Sequence, residues 1–150
     1  VINCAAYNLV EKADQKPLRA YEVNAIGPYH VAGVCAQIGA LCVHISSDYV
    51  FDGSKESFGE LDTPRPLNVY GASKYAGETL VQIATPVHYI IRTSALYGIA
   101  DGSKKNFVRT MLHLATENKA IQVVNDQFTS PTYSSPNRRR SSPASETLPA

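Results

Sequence analysis

A tyrosine and a lysine four residues apart, Tyr70 and Lys74, are the residues of this sequence best suited to acid–base chemistry. On a helix, residues four apart lie on one face about one turn from each other. The ammonium group would favour the phenolate and lower the phenol pKa from its usual value of about 10, as acid–base catalysis requires. An isolated pair of this kind is more often a solvated amphipathic face, so its surroundings decide the interpretation.

Three polar residues, Ser46, Ser47 and Asp48, follow an apolar run that we expect to be a buried strand, residues 41–45. In open parallel sheets, ligands bind beyond the carboxyl ends of the strands. The Ser47 hydroxyl can therefore hydrogen-bond a substrate oxygen and orient the substrate against Tyr70. The alternative for these serines is capping or turn formation. We disfavour it because the loop that we expect from Ser46 to Pro66 contains no immediate helix to cap.

Short apolar strands alternate with longer amphipathic helices along most of the chain. This alternation is typical of an α/β fold with a doubly wound, Rossmann-like parallel sheet. The apolar run at the start and residues 41–45, 89–91 and 121–124 are predicted strands. We expect residues 41–45 to be buried on both faces of the sheet and residues 89–91 to be a short buried strand. Residues 18–38, 71–84 and 106–118 are predicted helices. Gly27-Pro28 interrupts the first helix, so we expect a kink or two abutting helices there.

Composition and charge exclude several classes of function. The 150-residue chain is 44% hydrophobic, enough for a sizeable core, and its net charge of +1 provides no field for nucleic acid. No apolar stretch reaches membrane-spanning length, and no signal peptide is recognisable. The three cysteines show no Cys-x-x-Cys spacing, and Cys4 and Cys42 lie in apolar runs typical of core residues. We therefore expect a cytoplasmic protein with no disulfide, metal, nucleic-acid or membrane partner.

The two ends of the sequence differ from its middle. The chain opens without Met inside an apolar run, so we expect it to be part of a longer protein. After Tyr133 the pattern gives way to Ser, Pro and Arg, which cannot bury an apolar face. We expect residues 1–133 to form part of a folded domain and residues 134–150 to be a disordered tail.

Five segments carry a family resemblance by their order and spacing: residues 1–7, 44–53, 66–78, 92–98 and 124–127. Together they resemble the dTDP-4-dehydrorhamnose reductase family, which belongs to the extended short-chain dehydrogenases/reductases. The resemblance implies NAD(P)H-dependent reduction of the 4-keto group of a nucleotide-activated deoxysugar, dTDP-4-dehydro-L-rhamnose. It also implies that residues 1–133 are part of the NAD(P)-binding catalytic domain.

The resemblance also implies a role for each matching residue at the catalytic centre. Tyr70 would protonate the C4 keto oxygen, and Lys74 would lower the pKa of Tyr70 and hold the nicotinamide ribose. Ser47 would hydrogen-bond the substrate carbonyl, and Asp48 a sugar hydroxyl. Ala95 stands where family members often have a Trp that contacts the deoxysugar, so the sugar itself stays open.

Cofactor contacts follow from the same resemblance. Ala6, Tyr7 and Asn8 would line NADPH or NADH, with Ile45 behind the nicotinamide, and the small Ala5-Ala6 pair would let the dinucleotide approach the backbone. The Gly-rich turn that seats the pyrophosphate is absent from these 150 residues. We therefore expect this chain by itself to be inactive, and the family's C-terminal substrate domain to be missing as well.

Two alternatives stay open. One is another sugar-nucleotide epimerase or 4-ketoreductase. The other is a non-catalytic protein similar to the regulatory subunit of methionine adenosyltransferase, which resembles the same reductases.

Overall fold

The computed structural model describes residues 1–98, 107–117, 120, 121, 123, 125 and 129–134. Helices and a parallel sheet confirm the predicted α/β class. The described residues form two compact units, the first made of residues 1–94 with 129 and 130, the second of the remainder. Residues 135–150 of the predicted tail lie outside the described residues, and the division at Tyr133 stays a prediction.

A three-stranded parallel sheet forms the centre of the first unit, with the strands in chain order. The middle strand pairs with both neighbours and places His44 opposite Asn3 and Ile90. Because the strands are parallel, their carboxyl ends meet at one edge, where ligands bind in such sheets. The strands are β1 (Ile2–Asn3), β2 (Cys42–Ser47) and β3 (His88–Thr93).

Two strands run further than the apolar pattern predicted. β2 and β3 pair continuously up to Ser47 opposite Thr93, two residues beyond the predicted ends at positions 45 and 91. Ser46 and Ser47 therefore belong to a strand and not to a loop. The ladder is made by backbone groups, so it continues wherever the partner strand does, whatever the polarity of the side chains.

Helices lie between and after these strands along the chain. An early helix between Val10 and Gln15 was not predicted, and it buries only Ala13, too little for a periodic apolar signal. The helices are α1 (Val10–Gln15), α2 (Pro17–Tyr21), a π-helix (Glu22–Ile26), α3 (Gly27–Gln37), a 3₁₀-helix (Asp48–Val50), α4 (Val69–Ala84) and α5 (Phe107–Thr116).

The interruption predicted at Gly27-Pro28 takes the form of the π-helix. Pro28 has no N–H group to donate to the carbonyl of Asn24, four residues earlier, so the α-helical pattern cannot pass through this point. The backbone hydrogen bonds of the helix instead join residues five apart, and Gly27 N donates to Glu22 O. α3 then begins at Gly27 with Pro28 in its first turn, where a missing donor costs nothing.

Helices α3 and α4 cover one face of the sheet. The buried cluster between them and β2 consists of Ala32, Cys35, Cys42 and Val81. Cys42 is therefore a core residue, as predicted. Cys4 is exposed, contrary to the prediction, because it lies just beyond the last paired residue of β1.

The opposite face of the sheet differs from the sequence prediction. The strand at residues 41–45 was expected to be buried on both faces and the strand at 89–91 to be buried, yet Tyr89 and Ile91 of β3 are 64% and 45% exposed. Their partners Val43 and Ile45 on β2 are only half-buried. The apolar side chains predicted the strands correctly but did not predict which face the described helices cover.

The second unit contains α5 and a bridge between Tyr97 and Tyr133, whose rings lie 5.1 Å apart. The strand predicted at residues 121–124 is wrong at Ile121 and Val123, which carry no strand pairing. Its other two positions lie outside the described residues, as do both ends of the predicted helix 106–118. A four-residue apolar run forms a strand only where a neighbouring strand accepts its hydrogen bonds.

No described helix has the length and apolar character needed to cross a membrane.

The close packing of α4 at Gly77 predicts that a larger residue there destabilises the protein. A Cβ atom there would lie 2.1 Å from Asn24 O, a backbone atom. Gly77→Ala should therefore lower the free energy of unfolding of the whole protein by about 1–3 kcal/mol. This overrides the roughly 1 kcal/mol that alanine normally contributes to a helix interior.

Gly33→Ala on α3 is the matched control, because a Cβ at Gly33 meets no atom within 4 Å. It should raise the free energy of unfolding by roughly 0.5–1 kcal/mol. Urea denaturation of both variants measures the difference. Equal effects at the two positions would contradict the close approach of α4 to the π-helix.

Candidate active site

The first turn of α4 lies against the segment that follows β2. Asn68 caps the helix by accepting a hydrogen bond from Gly71 N at 2.8 Å. Gly71 packs so closely that a Cβ there would lie 2.1 Å from Tyr49 O. Tyr70 lies in this first turn, and its ring meets that of Tyr49 edge to face, with centroids 5.4 Å apart. α4 thus starts two residues before the predicted Gly71 and brings Tyr70 to the carboxyl end of β2.

Ser47 ends β2 at the same place. Its Oγ accepts a hydrogen bond from Tyr49 N at 3.2 Å and caps the 3₁₀-helix that starts at Asp48. Ser47 therefore does cap a helix, the role that the sequence analysis disfavoured. This helix was not predicted, because a 3₁₀ turn of three residues leaves no periodic apolar signal in the sequence. The same hydroxyl donates to Asp48 Oδ1 at 3.1 Å.

The electrostatics of Tyr70 correct the sequence prediction. Burial raises the pKa of Tyr70 above its usual value, and hydrogen bonding with Ser47 opposes the rise. The charges of Asp48 and Tyr49 raise this pKa further. Lys74 was expected to lower the pKa of Tyr70, and that expectation is wrong for this state of the protein, where desolvation of the phenolate dominates.

Lys74 lies one turn further along α4 and is 2% exposed. Its Nζ donates to Ile45 O on β2 at 2.6 Å, so the ammonium points to the sheet edge. Burial lowers the pKa of Lys74 to about 8, against the attraction of Glu78 and Cys4, which raises it. The structure therefore joins Lys74 to Ile45 through the backbone carbonyl, a contact the residue types alone did not indicate.

Asp48 is the centre of a hydroxyl network at this edge. Besides Ser47, its carboxylate accepts from Ser94 Oγ at 2.6 Å and from Thr129 Oγ1 at 3.4 Å. Ser94 and Thr129 also contact each other. The sequence prediction missed both hydroxyls. Ser94 could have been found, because it follows directly after β3, and parallel strands end at a common edge.

Asn24, in the π-helix, is a further residue that the sequence prediction missed. Its side chain is fully buried, accepts from Tyr7 N at 2.7 Å and donates to Tyr7 O at 3.1 Å. Its Nδ2 also donates to Ser73 Oγ at 2.9 Å, and Ser73 in turn donates to Tyr70 O at 2.8 Å. Asn24 therefore ties the segment after β1 to the start of α4. An amide inside an apolar helical pattern was the available signal, because buried amides are normally hydrogen-bonded.

The remaining predicted site residues belong to the first unit, except Ala95. Ala6, Tyr7 and Asn8 follow β1 at the carboxyl edge, with Ala6 and Asn8 exposed and Tyr7 half-buried. Ile45 lies on β2 and is also half-buried. Ala95 belongs to the second unit, is exposed and has a φ of 35°, an unusual value for a residue other than glycine.

The sequence of this chain is similar to one family of known proteins. The family model described as "RmlD substrate binding domain" matches residues 1–136. The dTDP-4-dehydrorhamnose reductase of Mycolicibacterium smegmatis is 48% identical over 135 residues, and that of Salmonella typhimurium is 42% identical over 133 residues. The chain belongs to the dTDP-4-dehydrorhamnose reductase family. The matches cover 89% and 88% of the chain but 41% and 44% of these relatives, so the chain spans less than half of their length.

Solved structures of the family share the fold. A dTDP-4-dehydrorhamnose reductase from Bacillus anthracis, solved in complex with NADP, superposes with a TM-score of 0.82 at 47% identity. The alignment covers 88% of this chain and 46% of that one. An orthologue from Clostridium acetobutylicum gives a TM-score of 0.81 at 43% identity, over 89% of this chain and 46% of its own. The predicted family and Rossmann-like fold are thereby confirmed.

The buried histidine of β2 predicts that the stability of the protein depends on pH. His44 is fully buried, and its Nε2 has no hydrogen-bond partner among the described residues. Burial, and then the charge of Lys74, lower the pKa of His44 to about 4, against about 6.5 in the unfolded chain. Below pH 6.5 the unfolded state therefore binds more protons than the native state. The free energy of unfolding should fall by up to roughly 3 kcal/mol as the pH drops from 6.5 to 4.

Urea denaturation between pH 4 and pH 7 measures this slope. His44→Asn should remove the His44 share of the slope, whatever its effect on stability at neutral pH. His30→Asn on α3, which changes an exposed histidine, is the matched control. An unchanged slope in His44→Asn would show that His44 does not stay neutral in the native state.

Proposed function

We propose that the whole protein containing this chain reduces the 4-keto group of a nucleotide-activated deoxysugar with NADPH or NADH. In the reaction proposed first, dTDP-4-dehydro-L-rhamnose becomes dTDP-L-rhamnose. The observation that supports this most is that Tyr70 interacts with Ser47 at the carboxyl end of β2, with Lys74 one turn further along α4 and bonded to Ile45 O, in a member of this family. The activity is attributed to the whole protein, because its relatives are more than twice as long as the matched region.

Tyr70 acts as the proton donor in this proposal. A raised pKa keeps its phenol protonated near neutral pH, which is the form that a reduction needs. The proton leaves Tyr70 Oη for the C4 oxygen as negative charge develops there, a general acid step. Transfer becomes favourable because the substrate oxygen, as an alkoxide, is the stronger base.

Ser47 orients the keto group in this proposal. Its hydroxyl is held from two sides, by Tyr49 N and by Asp48, so its position is set before substrate arrives. By turning its single O–H from Asp48 to the substrate, Ser47 can hydrogen-bond the same oxygen that Tyr70 protonates. Asp48, which already accepts from Ser47, Ser94 and Thr129, contributes through Ser47 and retains acceptor capacity for a sugar hydroxyl.

The residues at the sheet edge fit the nicotinamide end of a dinucleotide. Lys74 has three N–H donors, of which Ile45 O takes one, so it can also hold a ribose hydroxyl. Ala6, Tyr7 and Asn8 offer a small and partly exposed surface beside it, with Ile45 behind the nicotinamide. The cofactor, when bound, supplies the hydride. The Bacillus anthracis relative solved with NADP supports this assignment.

A second candidate is another sugar-nucleotide reductase or epimerase, and Ala95 is the observation that favours it. A methyl group replaces the aromatic ring that family members often carry at this position, so no ring can stack on the deoxysugar there. We propose Ala95 as a substrate contact whose small size broadens the choice of sugar.

The location and the partners that we propose rest on the sequence alone. We propose a cytoplasmic enzyme whose partner is a nucleotide sugar, with no nucleic-acid or membrane partner. The isolated 150-residue chain is predicted to be inactive, because the Gly-rich turn for the pyrophosphate is not among its residues.

Substitution of Tyr70 tests the assignment. In the whole protein, Tyr70→Phe should lower kcat by about 10² or more, because it removes the proton donor, and should leave NADPH affinity nearly unchanged. Lys74→Ala should reduce both, because it removes a ribose contact as well as a charge. Steady-state kinetics and fluorescence titration with NADPH measure the two effects.

Tyr75→Phe is the matched control, since Tyr75 lies on the same helix and lines a separate apolar groove with Tyr21. Near-normal kcat in Tyr70→Phe would refute the catalytic assignment. A wild-type protein that binds NADPH but turns over no nucleotide sugar would favour the non-catalytic alternative.

A further inference from the structure

We propose that Glu78 is a positioning residue for the reaction, which acts by keeping the Lys74 side chain charged, and that Arg92 holds Glu78 for this purpose. The proposal rests on the function proposed above. It assigns a role to a buried ion pair that lies beyond the Ser47, Tyr70 and Lys74 cluster.

Glu78 is a buried carboxylate held by two hydrogen bonds. It is 2% exposed and accepts from Arg92 Nε at 3.0 Å and from Arg92 Nη2 at 2.6 Å. A bidentate pair fixes the plane of the carboxylate as well as its position. Breaking such a pair is costly, because the remaining charge is left buried and uncompensated.

The position of Glu78 on α4 connects this pair to the active site. Tyr70, Lys74 and Glu78 are spaced four residues apart, so they lie along one face of the helix. Lys74 and Glu78 are both almost completely buried, which keeps water from screening their attraction. The carboxylate therefore acts on Lys74 electrostatically, while its own position is set by its ion pair with Arg92 of β3.

Arg92 is itself held from its other side. Its guanidinium carbon lies 4.9 Å from the centre of the Phe51 ring, a cation–π contact. Phe51 stacks on Phe58 with a centroid separation of 4.4 Å. The arginine is thus fixed between α4 and the segment after the 3₁₀-helix, so it cannot follow a displaced Glu78 without losing this contact.

Few charged or titratable groups influence Lys74. Glu78 and Cys4 favour its ammonium form, and burial opposes it, so the pKa of Lys74 is about 8. His44 on β2 interacts with Lys74 and is neutral above pH 4. Tyr70 precedes Lys74 by one turn and is neutral at neutral pH, and its raised pKa extends the neutral range further. Glu78, although paired with the Arg92 cation, is therefore the negative charge that contributes most to the protonated form of Lys74.

Removing the negative charge of Glu78 should lower the pKa of Lys74. A neighbouring negative charge raises the pKa of an amine, so replacing Glu78 by Gln lowers the pKa of Lys74 below about 8. With a shift of about one pH unit, the charged fraction of Lys74 falls about fivefold at pH 8 and hardly changes at pH 6. An ion pair that merely fastens α4 to β3 would change the melting temperature without this dependence on pH.

The experiment measures kcat and NADPH affinity of the whole protein between pH 6 and pH 10. In Glu78→Gln, the alkaline decline of both quantities should move to lower pH by about one unit. Glu78→Asp, which keeps the charge, should restore much of the wild-type profile. Glu22→Gln is the matched control, because it removes a carboxylate paired with Arg19 at the surface, where the two side chains are 61% and 63% exposed.

A double variant, Glu78→Gln with Arg92→Met, keeps the test decisive if the single variant does not fold. It leaves no buried charge without a partner. It should shift the profile in the same direction but by less than the single variant, because removal of the Arg92 cation partly offsets the loss of the carboxylate. Wild-type profiles in Glu78→Gln or in the double variant would overturn the proposal and leave the pair a structural link.

The failure of this inference is distinguishable from failure of the proposed function. A wild-type protein that binds NADPH without reducing a nucleotide sugar would refute the function, and the pH dependence of NADPH affinity would still test Glu78. An active wild type whose pH profile Glu78→Gln leaves unchanged would refute only the role of Glu78.

Discussion

The close contact of α4 with its neighbours is the constraint on which the candidate site depends. Gly71 and Gly77 have no side chains, so the carbonyls of Tyr49 and Asn24 can lie where a Cβ would otherwise be. The first contact brings Tyr70 to the end of β2, and the second seats the helix on the π-helical segment. Both approaches are made to backbone atoms, which cannot move aside as a flexible side chain can, so they set the register of α4 along the sheet.

Burial and charge oppose each other throughout the site. Desolvation raises the pKa of Tyr70 and lowers the pKa of Lys74 and His44. It thereby favours the neutral form of all three. Local partners counter this where the proposed chemistry needs a charge or a mobile proton: Ser47 for the phenol, and Glu78 for the amine. The ion pair of Glu78 with Arg92 is costly to bury, and its place on the same helix face as Lys74 gives that cost a functional reason.

Much of the fold was predictable because its signals are local. The apolar runs predicted β2 and β3, the helical period predicted α3 and α4, and Gly27-Pro28 predicted an interruption. Elements without such a signal were missed or misjudged. α1 buries too few residues to show a period, and the exposed face of β3 depends on what packs against it.

By itself, the sequence determined the α/β class, the family and the first candidates for the site, Ser47, Tyr70 and Lys74, because each depends on residue type and spacing. The tertiary structure decided which of those residues touch. It alone placed Lys74 on Ile45 O, joined Asn24 to Tyr7 and Ser73, and paired Glu78 with Arg92. It also reversed the expected pKa shift of Tyr70, since desolvation depends on every atom packed around a group and not on its neighbours in the chain.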